Sequence, residues 1–184
     1  MSLTENSVFP YGFNTGSTGP RSASRSEAVV MEGPKKHEEV CSMSKIMVVY
    51  WSGTGNTEKM AEAIAKGAEG KGASVECKNV ANVSASDLAG YDVVALGSPS
   101  MGVETIEEGE MEPFFAEALP GLKGKKAAIF GSYGWGDGEW LRTWADRCRS
   151  GGVTLMDDGL AVNETPDDAA LANCTAWGEK LAAF

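Results

Sequence analysis

The stretch that most constrains this chain is Val48-Val49-Tyr50-Trp51-Ser52-Gly53-Thr54-Gly55-Asn56-Thr57-Glu58. A β-prone apolar run ends in a turn of glycines and hydroxyls, and a helix-forming pattern starts at once. Strand, tight turn and helix in that order form half of a βαβ unit, which commits the sheet to parallel pairing. The turn itself reads as an anion cradle. Ser52, Thr54 and Thr57 bring hydroxyls, Gly53 and Gly55 let successive backbone N–H groups converge, and Asn56 opens the helix whose positive end faces the same point. No Lys or Arg lies between Ser52 and Glu58, so a phosphate here is held by neutral donors. A nucleotide-hydrolysing loop requires Gly-Lys-Ser/Thr, whereas Asn56 follows Gly55. A dinucleotide fingerprint requires a small residue where Glu58 stands. A terminal monophosphate remains, against the plain alternative of a capped strand-to-helix turn with no ligand.

From Lys45 onward, short apolar runs alternate with helical patterns: Ile46–Tyr50, Val75–Lys78, Val93–Gly97, Ala127–Gly131, and a less regular final run through Leu155 and Leu160–Val162. Five βα units predict an α/β domain on a parallel sheet. The first helix is expected over Asn56–Gly70, burying Met60, Ile64 and Ala68, with Lys71-Gly72 as its stop. The last is expected to start with Thr165 as N-cap and Pro166 at its first position. Residues 1–42 differ: they are rich in Ser, Gly, Pro, Thr and Asn and show no sustained apolar period, which predicts a disordered extension ahead of a domain over 43–184. His37-Glu38-Glu39-Val40 can be encoded by a purine-rich run of the kind that precedes a bacterial start codon, which makes Met43 the expected native start.

The net charge of −10 over 184 residues argues against nucleic acid or anionic membrane as partner and favours basic partners. No apolar segment approaches a membrane span or a signal sequence, so a cytoplasmic protein is expected. The four cysteines, Cys41, Cys77, Cys148 and Cys174, form no C-x-x-C pair, and the one histidine, His37, lies in the extension. Neither a metal site nor His-dependent nucleophilic catalysis is supported for the domain.

Ligands of parallel α/β sheets sit at the carboxyl ends of the strands, where the strand order reverses. That directs attention to three loops: the cradle, Ser98-Pro99-Ser100-Met101-Gly102-Val103-Glu104 after the third strand, and Gly131-Ser132-Tyr133-Gly134-Trp135-Gly136-Asp137-Gly138 after the fourth. Trp135, set between Gly134 and Gly136, has little local apolar sequence to bury it, and a flat aromatic ligand answers that need. Met101 offers a polarizable thioether for the opposite face, or is simply core. Glu104 is either an acceptor for a ring N–H or solvated surface. Trp140, Trp144 and Trp177 read as packing residues.

Taken in order, the cradle, Met101-Gly102, Glu112-Pro113-Phe114 and Phe130–Gly138 resemble the flavodoxins, and among them the short-chain bacterial type. The resemblance implies a flavodoxin-like doubly wound sheet of five parallel strands, order 2-1-3-4-5, in three α/β/α layers, with one noncovalent FMN. It implies that Ser52, Gly53, Thr54, Gly55, Asn56 and Thr57 hold the FMN phosphate, with Ser100, Ser132 and Tyr133 counted in the same site. Met101 and Trp135 would sandwich the ring, backbone groups of Gly134, Trp135 and Gly136 would meet its pyrimidine edge, and Glu104 would accept from N3–H. Gly102 looks like the residue whose carbonyl turns toward flavin N5 to stabilise the neutral semiquinone. Two departures stand out. Pro99 replaces a hydroxyl, and Val103 follows Gly102 where a β-branched side chain penalises a flipped turn.

Glu104, Glu107, Glu108, Glu110, Glu112, Asp137 and Glu139 crowd the sequence around these loops. A unit charge ~10 Å away raises the energy of an anion by up to ~1.7 kcal/mol at an effective dielectric of ~20. Several such charges disfavour a reduced, anionic flavin. The expected function is therefore a low-potential one-electron carrier that shuttles between semiquinone and hydroquinone, with no substrate of its own. It is expected to be a monomer that serves redox proteins with basic docking faces. The alternatives are a flavodoxin-like NAD(P)H-dependent quinone or flavin reductase, and a receiver-type signalling domain. The first needs nicotinamide room that Trp135 occupies. The second needs acids where Tyr50-Trp51-Ser52 and Ser98 stand.

Overall fold

The computed structural model describes residues 43–184, so the expectation of a disordered extension over residues 1–42 lies outside the described residues. Six strands and four helices follow one another as β1 (Lys45–Tyr50), α1 (Asn56–Gly70), β2 (Ser74–Asn79), β3 (Val93–Gly97), α2 (Met111–Ala118), β4 (Lys126–Tyr133), α3 (Glu139–Ser150), β5 (Thr154–Leu155), β6 (Leu160–Asn163) and α4 (Asp168–Ala183). All strand pairs are parallel, in the order β2-β1-β3-β4-β5. β5 pairs with the start of β4, at Lys126 and Ala127, and β6 pairs with its end, Phe130 to Tyr133. Together they make one interrupted fifth strand, which is why the final apolar run looked irregular.

Strand periodicity sorts the core into two halves. Ile46 and Val48 point to the side of Met60, Ile64, Trp177 and Leu181, which belong to α1 and α4. Met47 and Val49 point to the side of Phe115, Trp140 and Trp144, which belong to α2 and α3. Helices on both faces of one sheet give the three α/β/α layers. α1 and α4 interlock unusually closely: a Cβ at Gly67 would run into the Thr175 carbonyl, and one at Gly178 into the Ile64 carbonyl.

The first helix matches its expected bounds and buried stripe, with Met60, Ile64 and Ala68 inside. The start of α4 does not. Its N-cap is Asp167, whose carboxylate accepts from the Ala170 amide at 2.7 Å, so Thr165 and Pro166 stay in the preceding bend. An ionised Asp is the better cap, because it also answers the positive helix end. β4 also runs two residues past its expected end, so Ser132 and Tyr133 are strand residues paired with Val162 and Asn163.

Candidate functional site

The cradle is built as the residue types dictate. Trp51 N donates to Gly97 O at 2.9 Å and carries the β1–β3 pairing into the loop. Gly55 N donates to Ser52 Oγ at 3.0 Å, closing a tight turn, and Gly55 caps α1 at φ 84°, a left-handed conformation that favours glycine. The first-turn amides of Asn56, Thr57 and Glu58 then have no intrahelical acceptor and face outward from the positive helix end. Thr57 is buried, and its Oγ1 lies 3.2 Å from Ser132 Oγ, which ties the cradle to the end of β4. On the flank, Tyr50 Oη donates to Glu58 Oε1 at 2.8 Å. Burial first, and this carboxylate second, push the Tyr50 phenol up to about 12.

The third-strand loop is held from below. Ser98 N donates to Phe130 O at 3.0 Å and Ser100 N to Ser132 O at 2.9 Å, so the β3–β4 ladder continues into it. The Trp140 indole donates to Ser98 O at 3.3 Å, and Glu107 N donates to Ser98 Oγ at 2.9 Å. Met101 and Thr105 then exchange backbone hydrogen bonds of 2.8 and 3.0 Å, closing a hairpin. At its tip Gly102 and Glu104 have φ of 51° and 55°, and Val103 between them is 84% exposed.

Across the cleft, the fourth-strand loop leads into α3. Glu104 Oε1 reaches over and accepts from Gly138 N at 3.1 Å and Glu139 N at 3.2 Å. Arg142 is held by Asp137, at 2.8 Å to its carbonyl and 2.7 Å to its carboxylate. The carboxylates of Glu104, Asp137 and Glu139 lie within 4.8 Å of one another, so this rim stays net negative with one arginine beside it. Two of the other acids are engaged elsewhere. Glu107 caps α2, and Glu112 forms a two-pronged pair with Arg147 at 2.7 and 2.5 Å.

These loops enclose a cavity of ≈ 290 Å³. The cradle contributes Gly53, Thr54 and Asn56, the third-strand loop Ser100 and Met101, the end of β4 Ser132 and Tyr133, and the turn after it Gly134. Trp51, Pro99 and Glu164 complete the wall, and sequence reasoning named none of them as site residues. Glu164 enters because its amide donates to Tyr133 O at 2.6 Å with φ at 56°, a placement that only the β4–β6 pairing creates. Ser52, Gly55 and Thr57 shape the cradle from behind. Gly102, Glu104, Trp135 and Gly136 do not line the cavity; Trp135 is 57% exposed and Met101 39% exposed.

The cavity tests well as a seat for a phosphorylated aromatic ligand. Ser100 Oγ is buried with no hydrogen-bond partner, which costs about 1–3 kcal/mol unless something supplies one. A phosphate oxygen within reach of Ser100, the cradle hydroxyls and the free α1 amides does so. Trp135 and Met101 both leave large apolar side chains exposed, surface that a stacked flat ring would cover.

The flavodoxin family model matches residues 48–178, which include all three loops. This chain belongs to the flavodoxin family. It is 47% identical over 135 residues to a flavodoxin of Clostridium beijerinckii, covering 73% of this chain and 97% of that one. It is 45% identical over 137 residues to a flavodoxin of Megasphaera elsdenii, covering 74% and 98%. The solution structure of the two-electron reduced Megasphaera elsdenii flavodoxin superposes with a TM-score of 0.69 at 44% identity, over 76% of this chain and 99% of that chain. The expected flavodoxin strand order and three-layer architecture are those observed.

Proposed function

We propose that this flavodoxin binds one FMN noncovalently and carries electrons one at a time between redox proteins, at low potential and with no substrate of its own. The observation that carries this reading is the partnerless buried hydroxyl of Ser100, set on a cavity whose other lining hydroxyls are those of Thr54, Ser132 and Tyr133 and which Asn56 at the open end of α1 also lines. FMN would supply the redox chemistry. The protein residues bind, orient and tune.

In this reading Ser52–Thr57, Ser100 and Ser132 hold the phosphate with neutral donors. Met101 and Trp135 cover the two faces of the ring. Backbone groups of Gly134, Trp135 and Gly136 would meet its pyrimidine edge, Gly102 would lie beside N5, and Glu104 would accept from N3–H. Low potential follows from the rim charge: Glu104, Asp137 and Glu139 oppose the build-up of negative charge on the ring, and Arg142 is already engaged by Asp137. The same carboxylates favour partners with basic faces and speed their encounter at low salt. No lysine or arginine lines the cavity to receive the phosphate of a pyridine dinucleotide. Among the described residues no helix is long and apolar enough to cross a membrane.

The test is a titration of the flavin-free chain with FMN, then a potentiometric reduction without pyridine nucleotide. The expected result is 1:1 binding, opposed by inorganic phosphate, and two separable one-electron steps of which the second lies at low potential. A single two-electron step, driven by NADPH alone, would overturn the carrier reading in favour of a reductase.

A further inference from the structure

The two walls of the cleft come from different loops. Met101 sits on the hairpin after β3, and Trp135 sits on the glycine-rich segment that leads into α3. Below them the Trp140 indole donates to Ser98 O; between the hairpin tip and the start of α3, among the described residues, the side-chain hydrogen bonds run through Glu104. Glu104 Oε1, projecting from the hairpin, accepts from the amides of Gly138 and Glu139 at 3.1 and 3.2 Å. Both donors would otherwise be open ends of α3, where a carboxylate also meets the positive end of the helix dipole. Gly136 lies against the same carboxylate, so closely that a Cβ there would collide with it. Glu104 further keeps a backbone φ of 55°, a conformation that disfavours side chains other than glycine, asparagine or aspartate. A strained acidic residue is thus held at the spot where its carboxylate spans the gap.

We infer that Glu104 is a positioning residue: a brace that fixes the distance between the Met101 and Trp135 walls in the protein before any flavin is bound. The purpose of the brace rests on the FMN reading of the cleft, but its existence does not. It sets the ring slot in advance, so that binding does not have to order the Gly134–Gly138 segment.

The flavin-free full chain tests this by residue-resolved amide exchange. E104G removes the carboxylate and relieves the φ strain at once, and the Met101 and Thr105 amides report whether the hairpin itself loosens. E104Q keeps an acceptor oxygen on the same stem. In E104G the Gly138 and Glu139 amides are expected to exchange about tenfold faster or more, while the hairpin amides of Met101 and Thr105 keep their rates. E104Q should recover most of the lost protection. G136A should open the same two amides, and adding E104G to it should open them no further.

Unchanged exchange at Gly138 and Glu139 in E104G would overturn the inference. So would an equal rise at Met101 and Thr105, which would make Glu104 a hairpin residue only. With FMN as the probe, E104G should bind more weakly and E104Q close to the parent. If the parent chain bound no FMN while the exchange results held, the functional reading would fall and the brace would stand.

Discussion

Replacing Glu107 with alanine should unfold this domain about 10 °C earlier than the parent chain. Glu107 sits under the third-strand loop with 9% of its surface exposed. Its Oε1 accepts from Gly109 N at 2.6 Å, and its Oε2 from Glu110 N at 2.8 Å and Met111 N at 3.0 Å. The three lost bonds are not equal. Gly109 and Glu110 are exposed, so water can replace the carboxylate there and each bond costs about 0.5–1 kcal/mol. Met111 is fully buried, and its amide would be left without a partner at about 1–3 kcal/mol. The total is about 3 kcal/mol, and for a domain of this size about 3 °C of Tm accompanies each kcal/mol. Glu107→Gln can place its oxygen where Oε2 stands, keep the bonds from Glu110 and Met111, and lose only that from Gly109, for about 1 kcal/mol. The assay is thermal unfolding of the flavin-free protein followed by tryptophan fluorescence. An alanine variant within about 2 °C of the parent, or a glutamine variant as unstable as the alanine one, would refute the reasoning.

The interlocked glycines make opposite predictions for one chemical change. Gly67→Ala should destabilise by about 2 kcal/mol or more despite better helix propensity, because its Cβ meets the Thr175 carbonyl; Gly70→Ala, with open space around it, should gain up to about 0.5–1 kcal/mol, both read by urea denaturation. Burial pushes the thiols of Cys77, Cys148 and Cys174 up to about 11 from an ordinary 9.0, so they stay protonated in the fold. The stability they contribute is complete below pH 9 and is lost as pH rises from 9 through 11, which stepwise unfolding in alkaline buffers checks, and Cys148→Ala should flatten that fall. Val103→Gly should remove about 1–2 kcal/mol of positive-φ cost from a flipped hairpin tip. At about 59 mV per factor of ten for one electron, the first potential should rise by roughly 40–80 mV and the second fall equally; unchanged potentials would count against the Val103 reading.

What could be read from the sequence follows the range of the interactions involved. β1 was legible to within one residue, and α1 to the residue, because their determinants are consecutive: an apolar run, two glycines, and a 3.6-period stripe through Met60, Ile64 and Ala68. The three site loops were legible from topology, since parallel strands put their carboxyl ends on one edge. Glu107 was counted as one more acid in a crowd. Its role depends on the chain bending back so that three amides face it, and nothing local announces that. Glu164 reaches the cavity through strand pairing with β4, a contact across some thirty residues. Asp167 beat Thr165 as the cap of α4 by a local preference that the neighbouring Pro166 obscured.

The close approach of α1 and α4 divides the site into a part that is hard to change and a part that is easy. The cradle opens a helix whose backbone is pressed against another helix, with no room even for a methyl group between them. The walls stand on a hairpin and a glycine-rich segment that meet through one carboxylate. Retention of a phosphorylated ligand and tuning of its ring are thus governed by separate pieces of the molecule. On the FMN reading proposed above, substitutions at Met101, Val103 and Trp135 should act on the ring and its potential more than on the phosphate anchor. A lineage of carriers can change its voltage without relearning how to hold its cofactor.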